Sequence, residues 1–264
     1  MTPYYDHAGI TIYHGDCLEV LPSLSPCALI LTDPPYNVSA RGVGGRANTS
    51  VGRVPRKDGT MREIQRDYGA WDHDWKPEPF MALFPEALQP GGTLVAFTSE
   101  FLVSAYFATG LDHRGLLFWR KTNPAPSFRK QIVRAIEFAV WQTRGGGWTF
   151  NAGGYCPNVW DVPIINGFTC ENTQESRWHP TQKPEALLRQ WVALFSKTND
   201  LVIDPFMGSG TTLACAKRLN RRSIGIEREE KYCEIAAKRL AQDVLSLESA
   251  PVNEPSQLQL SRVE

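Results

Sequence analysis

The sequence predicts an α/β fold, a doubly wound and mostly parallel sheet, on three observations. Short apolar runs that read as buried strands alternate with stretches of helical length and pattern. Two of the strands end in a carboxylate followed by proline, at Asp33-Pro34 and at Asp204-Pro205. The second of these continues through Gly208-Ser209-Gly210 into a helix, giving strand, glycine-rich turn and helix start in sequence.

Taken in order, residues 10–14 alternate as a short strand, Gly15-Asp16 closes it, and 17–24 form a short helix. Residues 29–31 are a buried strand. The segment 39–75 breaks the rhythm with glycine and arginine and reads as an inserted, structureless, substrate-facing loop. Residues 79–88 read as an amphipathic helix stopped by Pro90-Gly91-Gly92, and 93–98 as a buried strand. Ser99 is placed to cap a helix running to about residue 108. Strands follow over 116–119 and 135–143, the second with Glu137 inside an apolar run, while 147–168 show little regular pattern. A helix over 184–196, a strand over 200–203, a helix over 211–219, a strand over 223–226 and a long amphipathic helix over 229–247 complete a single domain, 1–247. The polar residues 248–264, with two prolines, read as a flexible tail.

Composition narrows the function. The chain has 264 residues and no net charge, so a polyanionic partner must be met by a local basic patch. Its six cysteines are scattered, with no Cys-x-x-Cys pair and no histidine at ligand spacing, which points to reduced thiols in a cytoplasmic protein and to no structural metal. The N-terminus lacks the basic start and apolar stretch of a signal peptide, and no apolar run approaches the roughly 18 residues of a membrane helix.

The densest chemistry lies at 29–37, Leu-Ile-Leu-Thr-Asp-Pro-Pro-Tyr-Asn. Pro34 and Pro35 fix their own φ and push the residue before each away from helical geometry, so the chain leaves the strand stiff and extended. Asp33 before them and Tyr36 after them present an acceptor, main-chain carbonyls and a flat ring to one small planar object.

The second constellation is Asp204-Pro205-Phe206-Met207-Gly208-Ser209-Gly210-Thr211. Its glycines let a ligand approach the backbone, and Glu227, at the end of the next strand, suits two ribose hydroxyls. Leu213 stands where the dinucleotide fingerprint needs a third small residue, and no Gly-Lys-Ser/Thr follows, so a dinucleotide and a P-loop both fit poorly. Asp204 would repel a pyrophosphate and attract an ammonium. A nucleoside bearing an amino acid, S-adenosylmethionine (SAM), satisfies both acids.

With Arg177-Trp178-His179-Pro180-Thr181-Gln182-Lys183-Pro184 lying before the second constellation, the chain resembles the beta group of SAM-dependent DNA amino-methyltransferases, a circular permutation of the SAM-dependent (Rossmann-like) fold. The resemblance spans roughly residues 10–240. It implies that Asp33, Pro34, Pro35 and Tyr36 form the catalytic motif. It implies that Asp16 and Cys17, Asp33, Thr181 and Lys183, Asp204, Pro205, Phe206, Gly208, Ser209, Gly210, Thr211 and Glu227 hold the cofactor. Asp16 would meet the cofactor adenine, Glu227 the ribose, and Thr181 and Lys183 the methionine end. Arg120, Lys121 and Asn123, with Arg129 and Lys130, become candidate DNA contacts. They sit in a strip from His113 to Ile136 that holds Arg114, Arg120, Lys121, Arg129, Lys130 and Arg134 and no acid.

The activity implied is methyl transfer to the amino group of adenine (N6) in double-stranded DNA, with the base flipped out of the helix. Asp at position 33 favours adenine, since cytosine-N4 enzymes of the family more often carry serine there. Cytosine-N4 methylation, a nicotinamide dehydrogenase and a non-catalytic DNA-binding module are the competing readings. Residues 144–176 are the space left for target recognition. The resemblance is compatible with a homodimer and with a cognate restriction endonuclease as partners, and no membrane partner is expected.

Overall fold

A computed structural model describes residues 1–35, 50–55, 61–66, 77–124, 132–165 and 182–247, with 50–55, 61–66 and 242–247 described by backbone alone. One sheet of nine strands dominates. In chain order they are β1 (Tyr5–His7), β2 (Ile10–His14), β3 (Cys27–Thr32), β6 (Leu88–Thr98), β7 (Asp112–Lys121), β8 (Ile136–Thr143), β9 (Val159–Val162), β10 (Leu201–Asp204) and β11 (Arg222–Glu227). Two further strands, β4 (Ser50–Pro55) and β5 (Met61–Arg66), pair only with each other. The large sheet runs β1-β2-β11-β10-β3-β6-β8-β7-β9. Its centre, from β2 to β6, is wholly parallel. Strand β8 is antiparallel to both β6 and β7.

Alternation along the central strands assigns each side chain to one of two faces. Ile30, Leu94, Ala96 and Ile203 point into one core, against Val20, Leu21, Phe80, Phe84 and Tyr106. Those partners come from α1 (Cys17–Val20), a 3₁₀ turn at Leu21–Ser23, α2 (Glu78–Met81), α3 (Phe84–Ala87) and α4 (Val103–Phe107). Leu29, Leu31, Val95, Phe97 and Val202 point the other way, against α5 (Glu185–Phe195) and α6 (Thr211–Arg218), with Trp191 fully buried. Helix α7 (Glu230–Leu247) packs Cys233, Ala236 and Leu240 against Ile10, Ile12 and Leu213. Both faces of the centre are therefore covered, as a parallel sheet requires. Leu213, the residue that spoils a dinucleotide fingerprint, fits because β11 carries Gly225 beneath it; a Cβ there would meet Leu213 Cδ2 at 2.9 Å.

Five expectations are corrected. The single helix over 79–88 is two short helices, α2 and α3, with Pro85 at the start of the second. The strand expected from residue 93 begins at Leu88, because Pro90-Gly91-Gly92 continue it: Gly91 N–H donates to Arg144 O and Arg144 N–H to Gly92 O. Ser99 caps nothing; α4 begins at Val103 after a turn in which Leu102 N–H donates to Ser99 O, and the Ser99 hydroxyl is buried without a protein partner. Within 147–168 a strand, β9, adds parallel to β7. Part of the supposedly structureless loop is the β4–β5 hairpin, whose register opposes Arg53 to Glu63. Asp58-Gly59 between those strands is a hairpin signal of the sequence. The rest of 39–75, residues 166–176 and the tail 248–264 lie outside the described residues.

Candidate active site

The carboxyl ends of parallel strands are where an open α/β sheet presents its ligands. Here β3 and β10 lie side by side, so Asp33 and Asp204 leave neighbouring strands at the same edge. The last residue of β3 ties them together: Thr32 Oγ1 donates to Asp204 Oδ1 at 2.8 Å. The Phe206 N–H donates to the same oxygen at 3.1 Å. Asp204 is only 4% exposed. Burial, together with the charge of Asp33 and against hydrogen bonds from Thr212, Thr32 and Phe206, pushes its carboxyl up to about 7. Among the described residues no cation pairs with it.

Asp33 is treated differently. Lys183, 8% exposed, donates from Nζ to Asp33 Oδ2 at 2.6 Å. The same ammonium lies 3.2 Å from Glu137 Oε2 and 4.7 Å from the centre of the Phe97 ring. Glu137 Oε1 in turn meets Lys121 Nζ at 2.6 Å. Burial disfavours the charge on Lys183, but Asp33 and Glu137 outweigh it and hold the ammonium above its ordinary pKa. Burial likewise opposes the charge on Glu137, and Lys183 and Lys121 overcome it, holding the carboxyl below its usual range. Two acids and two ammoniums thus form one line across β3, β6, β8 and β7. Lys183, expected at the methionine end of the cofactor, is in direct contact with Asp33.

The third acid, Glu227, ends β11. Its Oε2 accepts from Gly208 N–H at 3.0 Å and its Oε1 from Glu229 N–H at 2.8 Å. Burial raises its pKa. Next to it, Gly15 N–H donates to Glu227 O, and Asp16 caps α1 by accepting from Leu18 N–H at 2.9 Å. Cys17 follows, buried, its thiol pushed up to about 12 by burial and by Asp16.

The glycine-rich turn is held from behind. Gly210 has φ of 76°, and a Cβ there would stand 3.0 Å from Ala236 Cβ, so the turn needs glycine. Ser209 and Thr211 are buried, and the Arg239 guanidinium donates to Ser209 O at 3.2 Å and Thr211 Oγ1 at 3.1 Å. Arg239 also pairs with Glu185, the first residue of α5 and two residues beyond Lys183. Pro205 is buried, and Phe206 packs edge-on to Phe80, ring centres 5.1 Å apart.

The basic strip is not bare. Arg114 pairs with Asp112, Arg120 with Asp161, Lys121 with Glu137 and Arg134 with Glu100. Asn123 donates to Ile164 O and accepts from Ile164 N–H at 2.6 Å, clasping the chain beyond β7 to the chain beyond β9. Tyr36, Thr181, Arg129 and Lys130 lie outside the described residues.

Sequence reasoning missed Glu137 and Arg239 as parts of the site. A carboxylate inside the apolar run 135–143 was the available signal for Glu137, since a charge in a strand interior needs a partner. Nothing distinguishes Arg239 from other basic residues of an amphipathic helix.

A family model described as DNA methylase matches residues 27–238. Type II methyltransferase M2.LlaDCHI of Lactococcus lactis subsp. cremoris is 31% identical over 266 residues, covering 90% of this chain and 91% of that protein. Type II methyltransferase M2.DpnII of Streptococcus pneumoniae is 31% identical over 269 residues, covering 90% of this chain and 92% of that one. Among solved structures, the M1.HpyAVI–SAM complex superposes with a TM-score of 0.65 at 28% identity, covering 88% of this chain and 98% of that chain. The cytosine-N4-specific PvuII DNA methyltransferase, at 18% identity and a TM-score of 0.63, covers 90% of this chain and 88% of its own and shares the fold. The chain belongs to the DNA methylase family, and S-adenosylmethionine is its cofactor.

Proposed function

We propose that this DNA methylase methylates the N6 amino group of adenine in duplex DNA, with Asp33 as the acceptor that activates the nucleophile. The observation that carries the reading is the Asp33 carboxylate at the edge of β3, pinned by Lys183 at 2.6 Å and one strand away from the glycine-rich turn.

The cofactor suits the residues present. Asp204 is a buried carboxylate with a raised pKa and no positive partner among the described residues, which suits a ligand ammonium. Each Glu227 oxygen already accepts from a backbone N–H, and a carboxylate offers about four acceptor positions, so the group keeps acceptor capacity for ribose hydroxyls. Bound SAM supplies a methyl group activated by positively charged sulfur.

An adenine amino nitrogen is a poor nucleophile because its lone pair is delocalised into the ring. Asp33 and the Pro34 carbonyl, each accepting one N–H, localise that pair and aim it. The Lys183 ion pair keeps Asp33 in its charged, accepting form. The reaction then depends on positioning and electrostatics rather than on a covalent enzyme intermediate. Cys27, fully buried with its thiol pushed up to about 12, takes no part as a nucleophile. Tyr36 is assigned to stacking on the flipped base.

DNA is met by Arg129 and Lys130, while Arg120 stays matched by its exposed partner Asp161. Incubating the protein with duplex DNA and isotope-labelled SAM, then resolving the nucleosides by mass, tests the reading. Label in N6-methyladenosine is the expected result. Label in cytosine overturns the base assignment, and unlabelled DNA overturns the reaction.

A further inference from the structure

We propose that Glu137 is a positioning residue for methyl transfer, acting on Asp33 through the shared ammonium of Lys183. The inference rests on the methyl-transfer reading and extends it to a residue on the far side of β6.

The placement follows from strand order. Asp33 follows β3, Glu137 lies on β8, and β6 runs between them. Lys183 bridges that strand with its ammonium over the Phe97 ring of β6, 2.6 Å from one acid and 3.2 Å from the other. A lysine on a flexible stem, held by one carboxylate alone, is free to swing around it. Anchors on two separate strands, with an aromatic face beneath, leave one position for the nitrogen. Strand β8 is itself fixed on both sides, with Phe138 opposite Thr98 of β6 and Glu137 opposite Trp119 of β7.

Charge gives the second reason. Asp33 and Glu137 balance Lys183 and Lys121. Without Glu137, Asp33 is, among the described residues, the carboxylate left in contact with Lys183. Lys183 is then drawn entirely onto Asp33 and competes with the target amino group for its lone pairs. Glu137 divides the ammonium between two acids and leaves Asp33 able to accept a further N–H. Lys121, at the outer end, neutralises the free oxygen of Glu137, so its place is in this line and not on a phosphate.

The test is a double-mutant cycle with single-turnover kinetics on duplex DNA. Glu137→Gln keeps the shape and removes the charge; Glu137→Asp keeps the charge and shortens the reach. Each is made alone and together with Lys183→Met. Both single variants should lose turnover, Gln by about tenfold to a hundredfold, the scale of a misplaced reactive group, and Asp by less. SAM affinity by calorimetry should stay within about twofold, because the cofactor acids are elsewhere. Each double variant should be no slower than Lys183→Met alone, since Glu137 acts only through that ammonium. If Glu137→Gln does not fold, Glu137→Asp and its double carry the comparison unchanged. Wild-type turnover in Glu137→Gln, or losses that multiply in the doubles, would overturn the proposal. A wild-type protein that leaves DNA unmethylated refutes the underlying reading instead.

Discussion

Asp33 and Asp204 end adjacent parallel strands, are linked by Thr32, which precedes one and donates to the other, and have opposite electrostatic fates. Asp33 has its cation supplied by the protein, from Lys183. Asp204 is buried among a threonine pair and a backbone N–H, and burial pushes it up to about 7. The difference teaches a division of labour. The acid proposed to handle a neutral amino group is given a counter-charge by the protein. The acid proposed to receive the charged end of the cofactor has none among the described residues, which would let the ligand complete the pair.

The comparison breaks first at Asp33. Removing a preorganised acceptor that acts mainly in the transition state lowers turnover far more than binding. Asp33→Ala should reduce methylation by roughly two to three orders of magnitude, while SAM affinity measured by calorimetry stays close to wild type. Near-normal turnover would reduce the Asp-Pro-Pro bracket to a turn.

Glu227 sharpens the other side. It is proposed to meet neutral hydroxyls, so its effect on the reaction should appear in cofactor affinity. Glu227→Ala should weaken SAM binding by about 1.5–3 kcal/mol, the scale for a hydrogen-bonded charged group. It should also loosen the turn, because Gly208 N–H loses its acceptor. Unchanged affinity would remove Glu227 from the site.

Asp204 makes the comparison titratable. In the proposed site the cofactor ammonium pairs with the ionised carboxylate, whereas burial in the free protein pushes that carboxyl up to about 7. Below that point each unit of pH should cost about tenfold in SAM affinity, with a proton released on binding. The sign for folding is the reverse of the usual carboxylate. Its folded pKa lies above its unfolded value of about 4, so the native state binds the proton more tightly. The cofactor-free fold should therefore gain stability from this group as pH falls from about 7 toward 4. Asp204→Asn should abolish both trends. Calorimetry in buffers of different ionisation enthalpy counts the proton, and pH-independent affinity in the native protein would show that Asp204 is not the ammonium partner.

The same contrast explains what the sequence made legible. The strand ends were readable because proline and glycine leave sharp local marks: Asp33-Pro34-Pro35 and Gly208-Ser209-Gly210 declare their backbone shape by themselves. The counter-charges were not. Lys183 reaches Asp33 across 150 positions of chain, and Glu137 meets Lys121 by the antiparallel register of β8 on β7. Nothing local encodes those distances. Strand β9 was hidden for a related reason. Only Trp160 and Val162 of its four residues pack inward, a pattern too short to separate from its aromatic surroundings. Helix α4 was misplaced because Ser99 looks like a cap, yet the following turn uses the backbone carbonyl instead of the hydroxyl.

The smallest effects belong to the basic strip, where paired and unassigned charges can be set against each other. A cation already matched by a carboxylate releases few counterions when it meets DNA, because the protein has neutralised it beforehand. Arg120 is such a case: its guanidinium forks onto Asp161, and the exposed pair contributes little to stability. Arg120→Ala should change the salt dependence of DNA binding by well under one unit of slope. Arg129 and Lys130 are proposed to contact phosphates directly. Neutralising both should flatten the slope of log affinity against log salt by nearly two units, weaken all duplexes alike and leave SAM binding untouched. Fluorescence anisotropy with a labelled duplex across a salt series measures both slopes. If Arg120→Ala flattens the slope as much as the double neutralisation, the ion pair opens fully on DNA, and pairing in the free protein does not predict which cations the phosphates use.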